Sequence, residues 1–317
     1  MNILVILPPA LSDVVCSTAL LRCVHRQVSG AQLHVVVPEE FAHVLVANPH
    51  IARLVPTPEL HINLSPVKYA VVVDVANLYE NEQWAAAAGI RYLSPKSSFF
   101  SNFFGMFGQK VVQHSALEMV GIAKPLGVRY DGEGLNYFIA PEFKVPQQDI
   151  PVAHSAGFVV LALGNGAALH GEVLQHFCKN LQFPIMITGP REMYASAQAL
   201  AKTDNVKVYA ACGKFSDGET ADLINRSRMV VSADAGWMQV AAAWGKPVVA
   251  WIPGKGTGAQ IPPLYAAHHI QEKGVPFASV QPSKAALATS STAEAHSERT
   301  ALGEAMVQLV NGFLFKK

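Results

Sequence analysis

Met229–Ile252 reads MVVSADAGWMQVAAAWGKPVVAWI, and this stretch decides the fold. Met229–Ser232 is a short apolar run, the pattern of a strand buried on both faces. Gly236–Trp244 reads as a helix, and Gly245-Lys246-Pro247 ends it. Val248–Ile252 is a second buried strand. Strand, helix and strand in this order form a crossover between parallel strands, which is right-handed.

The same alternation extends outward. Upstream, Gly157–Leu163 (GFVVLAL), Pro184–Thr188 (PIMIT) and Lys207–Tyr209 read as strands. Helices over Glu172–Asn180, Glu192–Lys202 and Thr220–Ser227 separate them. The amino-terminal part repeats the scheme. Asn2–Leu7 (NILVIL), Leu33–Val37, Leu54-Val55 and Tyr69–Val75 are strands, and Asp74 sits near the end of the last. A helix runs to about Val28 after a cap at Ser12 or Asp13, and another covers Glu39–Ala47. Ala140–Ala156 carries three prolines and little periodicity, so the linker falls there. The reading is an α/β chain with an amino-terminal domain over 1–148 and a carboxyl-terminal one over 149–300. Ser279–Ser297 reads as a surface connection, and 301–317 as a closing helix.

Bulk properties narrow the function. Of 317 residues, half are hydrophobic and 15% charged, enough apolar surface for two buried sheets. The net charge of +1, with no long basic run, gives no support to nucleic-acid binding through a phosphate-seeking surface. Small basic patches leave peripheral membrane contact open. Cys16, Cys23, Cys178 and Cys212 form no C-x-x-C pair and have no His at metal-ligand spacing, which fits packing in a reducing compartment. Met1–Leu7 enters a strand without a signal-peptide pattern, and no apolar run would span a bilayer, so a cytoplasmic location is expected.

Ligands of open α/β sheets bind beyond the carboxyl ends of the strands. Three loops there are rich in small residues: Leu163-Gly164-Asn165-Gly166-Ala167-Ala168, Thr188-Gly189-Pro190-Arg191-Glu192, and Ser232-Ala233-Asp234-Ala235-Gly236. Small residues let backbone approach a ligand, and amides at a helix start favour phosphate. One such loop is most simply a tight turn; three on one sheet edge point to a ligand. None is a Walker A loop or a G-x-G-x-x-G fingerprint. Phe99, Phe100, Phe103, Phe104 and Phe107 form an aromatic cluster, read as packing onto the core or as a cleft wall.

Asp234-Ala-Gly-Trp-Met-Gln-Val-Ala-Ala-Ala243, followed by Gly245-Lys-Pro-Val-Val249, resembles the donor-binding signature of glycosyltransferase family 9, the ADP-heptose:lipopolysaccharide heptosyltransferases and their relatives. Ile3–Leu7, Leu11-Ser12-Asp13-Val14-Val15 and Thr18-Ala19-Leu20-Leu21 are similar to the family's first strand, Gly-Asp loop and first helix. Asn48-Pro49-His50-Ile51 resembles its Asn-Pro-x-Ile segment. Asp131–Ile139 (DGEGLNYFI) resembles a segment of one branch of the family, from Bacteroidetes.

The resemblance covers most of residues 1–265. It implies two Rossmann-like domains in the GT-B arrangement, facing across a cleft, with the nucleotide sugar held by the carboxyl-terminal domain and the acceptor by the other. It implies an inverting transfer without a metal or other cofactor, from an ADP-linked donor to a lipopolysaccharide-type or other envelope glycan or glycolipid. Work at the cytoplasmic face of the inner membrane would fit. Asp13 then takes the place of the general base, with Ser12 beside it on the acceptor side. Without the resemblance, Asp13 reads as a helix cap. On the donor side the resemblance assigns Gly164, Asn165, Gly166, Gly189, Asp234, Ala235, Gly236 and Gln239, with Glu192 on the ribose hydroxyls. A first-turn helix acid is the alternative for Glu192.

Departures from the family pattern cluster in the same site. Its loop Lys is missing from Ala167-Ala168-Leu169-His170-Gly171, its Thr is Ala235, its His is Gln239, and the Gly before the catalytic Asp is Ser12. His170 or Lys255, in Pro253-Gly-Lys-Gly-Thr-Gly258, would have to supply the absent charge. Each lost charge-assisted contact costs on the order of 2–4 kcal/mol of transition-state stabilisation. Two readings follow: a glycosyltransferase with a changed donor, or a catalytically silent relative that binds a nucleotide sugar or a partner protein.

Overall fold

The computed structural model describes residues 1–56, 67–95, 114–164, 171–251, 262–273, 276–287 and 292–315. The chain divides into two compact units, Met1–Ala140 and Pro141–Lys317. The division falls at the start of the proline-rich segment. Residues 141–148 pack with the second unit: the Val145 amide donates to Asp222 (3.0 Å), and Phe143 lies over Gly218, where a Cβ would sit 2.5 Å from its ring.

In the first unit, β1 (Asn2–Ile6), β2 (Gln32–Val37), β3 (Arg53–Pro56), β4 (Val71–Asp74) and β5 (Arg91–Leu93) form a parallel sheet in the order β3-β2-β1-β4-β5. β1 and β4 are buried almost throughout, which explains their continuous apolar runs. Helix α1 (Leu11–Gln27) follows β1, α2 (Tyr79–Ala87) follows β4, and α3 (Ser115–Ile122) packs on α1. The helix expected over Glu39–Ala47 is a 3-10 turn, Glu39–Val44.

In the second unit, β6 (Val159–Ala162), β7 (Ile185–Thr188), β8 (Val208–Ala210), β9 (Met229–Ser232), β10 (Val248–Trp251) and β11 (Phe277–Val280) are all parallel, in the order β11-β10-β9-β6-β7-β8. Helices α4 (Gly171–Asn180), α5 (Tyr194–Ala201), α6 (Asp217–Arg226), α7 (Ala235–Ala243), α8 (Ala267–Lys273), α9 (Lys284–Leu287) and α10 (Ala293–Leu314) accompany it.

The Ala- and Ser-rich stretch after β11 was expected as a surface connection, yet it holds α9 and the first turns of α10. That last helix starts at Ala293 rather than at 301, capped by Thr292, whose side chain accepts the Ala295 amide (3.3 Å). Its inner face, Ala295, Arg299, Leu302, Gly303, Met306 and Val310, recurs at helical spacing and packs along α4. All four cysteines are free and buried; burial pushes Cys16 and Cys178 up to about 12 and Cys212 up to about 11, so they are inert packing groups.

Candidate functional site

In the second sheet β6 is first in the chain but sits between β7 and β9. The chain therefore builds outward on one side through β7 and β8, then crosses to β9 on the other. A crevice opens at such a reversal, beyond the carboxyl ends of the two central strands. The loops that meet there are Leu163-Gly164 and Ala233-Asp234, seventy residues apart in sequence (234 less 164). A Cβ on Gly164 would lie 2.3 Å from Asp234 Oδ2 and 2.8 Å from its Cβ, so only glycine fits.

The turn into α7 is fully specified. Ser232 Oγ donates to the Ala162 carbonyl (2.9 Å) and accepts the Asp234 amide (2.9 Å), tying the two central strands together. Asp234 then caps α7, its Oδ1 accepting the amides of Gly236 (2.9 Å) and Trp237 (3.2 Å). Ala235 opens the helix, half-buried, and its amide is not one of those the cap engages.

The third loop presses on the first. Gly189 has φ 152° and its Cβ would meet the Leu163 carbonyl at 2.3 Å, while its own carbonyl accepts the Gly213 amide (2.9 Å). Just before it, Thr188 is buried and its hydroxyl has no hydrogen-bond partner among the described residues. Glu192 is exposed in the 3-10 turn Arg191–Met193, and no hydrogen bond or ion pair engages its carboxylate among the described residues. Gln239 is buried, and its Oε1 accepts the Leu264 amide (3.1 Å), so it anchors the chain that follows residues 252–261. Asn165, Gly166, His170 and Lys255 lie outside the described residues, as do the five clustered phenylalanines.

The first sheet has its own reversal, at β1 between β2 and β4. Ser12 and Asp13 lie in the first turn of α1, directly beyond β1. Neither caps the helix, contrary to the expectation from sequence. The cap position is Ala10, which has no side chain to offer, and Asp13 is the third helical residue. The Asp13 carboxylate has no hydrogen bond or ion pair among the described residues. Burial raises its pKa. An acid that is half-buried, unpaired and basic for its type is suited to accept a proton.

Two residues have roles that sequence reading did not give. Asp74, fully buried at the end of β4, accepts the Asn77 and Leu78 amides (2.9 and 3.2 Å), Asn81 Nδ2 (2.8 Å) and Tyr92 Oη (2.8 Å). It fixes the next loop, including Asn77 at φ 55°. Arg22, fully buried on α1, forms a bidentate pair with Asp131 (2.8 and 2.7 Å) and also reaches Asn136 and the Gly134 carbonyl (2.9 Å). The Asp131–Ile139 segment is thus a clamp on the helix that carries Asp13. Burial pushes Asp131 up, but its hydrogen bonds from Arg22 and the Glu133 amide, with the Arg22 charge, outweigh this and hold it at about 2.

Two parallel sheets, each with its central reversal and a helix start beside it, are the architecture of the GT-B fold. A glycosyltransferase family 9 structure from Veillonella parvula DSM 2008 is similar over 100% of this chain and 97% of its own, with TM-score 0.74 and 17% identity. Escherichia coli heptosyltransferase WaaC with ADP gives TM-score 0.68 at 15% identity (99% and 100% covered), and E. coli ADP-heptose lps heptosyltransferase II gives 0.65 at 16% (96% and 99%). No curated protein matches in sequence. The model of glycosyltransferase family 9 (heptosyltransferase) matches residues 170–268, the segment that holds Glu192, Asp234 and Gln239. Over those residues the chain is similar to glycosyltransferase family 9, and the solved structures extend the likeness of fold to both units.

Proposed function

We propose that this chain is an inverting, metal-independent glycosyltransferase that moves a heptose or hexose from an ADP-linked donor to an envelope glycan of lipopolysaccharide type. The contact of Gly164 with Asp234 carries the reading: it puts a backbone crevice and a helix start at the reversal of the second sheet. The helix dipole and the start-of-helix amides favour the diphosphate and its growing charge as it leaves. E. coli heptosyltransferase WaaC, similar in fold, has been solved with ADP and with ADP-2-deoxy-2-fluoro heptose, which supports an ADP-linked donor.

Asp13 is the general base in this scheme. It takes the acceptor hydroxyl proton while that oxygen bonds the anomeric carbon, and the bond to the diphosphate breaks with its electron pair on phosphate oxygen. A single displacement inverts the anomeric centre. The absence of any helix, among the described residues, long and apolar enough to cross a membrane leaves a peripheral approach to a lipid-linked acceptor.

Calorimetric titration with ADP, ADP-heptose and UDP-hexoses tests the donor. ADP-linked sugars should bind, and Asp13→Ala should bind them equally well without turnover. No binding of any nucleotide sugar would remove the assignment. The committed Gln239 oxygen favours a second reading, a silent relative. Binding by the unaltered protein with no turnover on any lipopolysaccharide core acceptor would establish it.

A further inference from the structure

The second unit has a cavity of about 360 Å³ at the edge of its sheet opposite to Gly164 and Asp234. Its walls are the segment leading into β6, the end of α6 with the turn into β9, and the turn from α7 into β10. All three enter the sheet at the amino ends of their strands. Arg226, Arg228 and Lys246 line it, with His154, Phe158 and Trp244, and no Asp or Glu among the described residues does.

The charges there are unequal in availability. Arg226 pairs with Asp222 (3.4 Å) and donates to the Val145 carbonyl (2.6 Å) and to Gln147 Oε1. Lys246 Nζ donates to the Ser227 carbonyl (3.0 Å) at the end of α6. The carboxyl ends of α6 and α7 also point here, each worth about half a negative charge. Three cations, less Asp222 and these two ends, leave roughly one positive charge. It resides on Arg228, whose guanidinium has no hydrogen bond or ion pair among the described residues. Its stem crosses Gly157, where a Cβ would lie 3.0 Å from Arg228 Nε. Burial lowers the His154 pKa, so this ring is neutral at pH 7 and adds no charge.

We propose that this cavity binds a phosphate ester, with Arg228 as the principal contact and Lys246 and Arg226 as secondary ones. The cations arrive from separate segments and can meet separate oxygens of a tetrahedral anion, whereas a planar carboxylate presents only two. The volume exceeds a bare phosphate and admits a glycerol-sized body, which Phe158 and Trp244 would flank. A soluble metabolite or a phospholipid headgroup would supply the same chemistry.

Titration of the full chain with glycerol 3-phosphate, followed by calorimetry, tests the site, and co-sedimentation with phosphatidylglycerol against phosphatidylcholine vesicles identifies the source. Binding to at least one probe should weaken about tenfold in Arg228→Ala and fall as salt rises, with ADP binding unchanged. Arg228→Gln, with a melting temperature as in the unaltered protein, checks that the loss is local. Binding to neither probe, equal binding by both variants, or displacement of glycerol 3-phosphate by ADP would each overturn the proposal; the last would move the phosphate to the donor loops.

Discussion

The two sheets share an order and a trick, an acid at the turn from a central strand into a helix, yet they use the acid in opposite ways. Asp234 stands at the cap position of α7, one residue before the helix, so its carboxylate folds back onto the Gly236 and Trp237 amides. Asp13 stands three positions further along, at the third residue of its helix. From there the amides of its own turn are out of reach, and the Ala10 amide, which a first-turn acid engages in a capping box, already donates to the Pro8 carbonyl (3.0 Å). One carboxylate is spent on backbone; the other is engaged by no hydrogen bond or ion pair among the described residues. A shift of three positions separates an engaged carboxylate from an unengaged one.

The largest test of this contrast is Asp13→Ala. Loss of a general base should lower kcat by about 10²–10⁴ with donor affinity unchanged, measured by steady-state kinetics and calorimetry. An unchanged kcat would break the comparison. Next is Arg22→Ala, which leaves Asp131 half-paired under α1. Breaking such a buried pair should cost about 3–5 kcal/mol in denaturant unfolding. Because Asp131 is held at about 2, its share of stability is present above the unfolded carboxylate range and is lost as pH falls through about 2.

Gly164→Ala forces a Cβ into Asp234, and overpacking of this kind costs about 1–3 kcal/mol. Donor affinity should fall with it, by tenfold or more. Asp234→Ala removes only a cap, worth about 0.5–2 kcal/mol. The smallest effect sharpens the contrast most. Asp13→Asn should raise the melting temperature at neutral pH, since burial disfavours the charge there. The folded pKa of Asp13 is raised, so this gain should shrink as pH falls through it and the native acid is itself protonated. For the same reason the acid limb of kcat should lie above the ordinary aspartate range.

Much of the fold was legible. The buried strands are continuous apolar runs, and β1, β2, β4, β6, β7, β9 and β10 stand where those runs lie. Elements with mixed composition were not legible. β5 (Arg91–Leu93) and β11 (Phe277–Val280) are short edge strands only partly buried, so no run marks them. The start of α10 was hidden because Ala, Ser and Thr are as common in surface connections as in helices. In the site, the glycines and the two acids were visible as residue types in loops. The role of Asp74 was not, because its four donors come from three segments, one of them Tyr92, 18 residues on. Gln239 showed as a missing histidine, while its bond to Leu264 depends on where a distant segment returns.

The sequence alone determined the alternation of strand and helix, hence two parallel sheets, and it marked three small-residue loops and an acid near each central helix. These follow from local propensity and burial period. Tertiary structure decided which loops meet: strand order set Gly164 against Asp234 across seventy residues, and helix register left Asp13 without a partner among the described residues. Register and strand order arise from packing summed over the whole sheet, and no local stretch of chain encodes that sum.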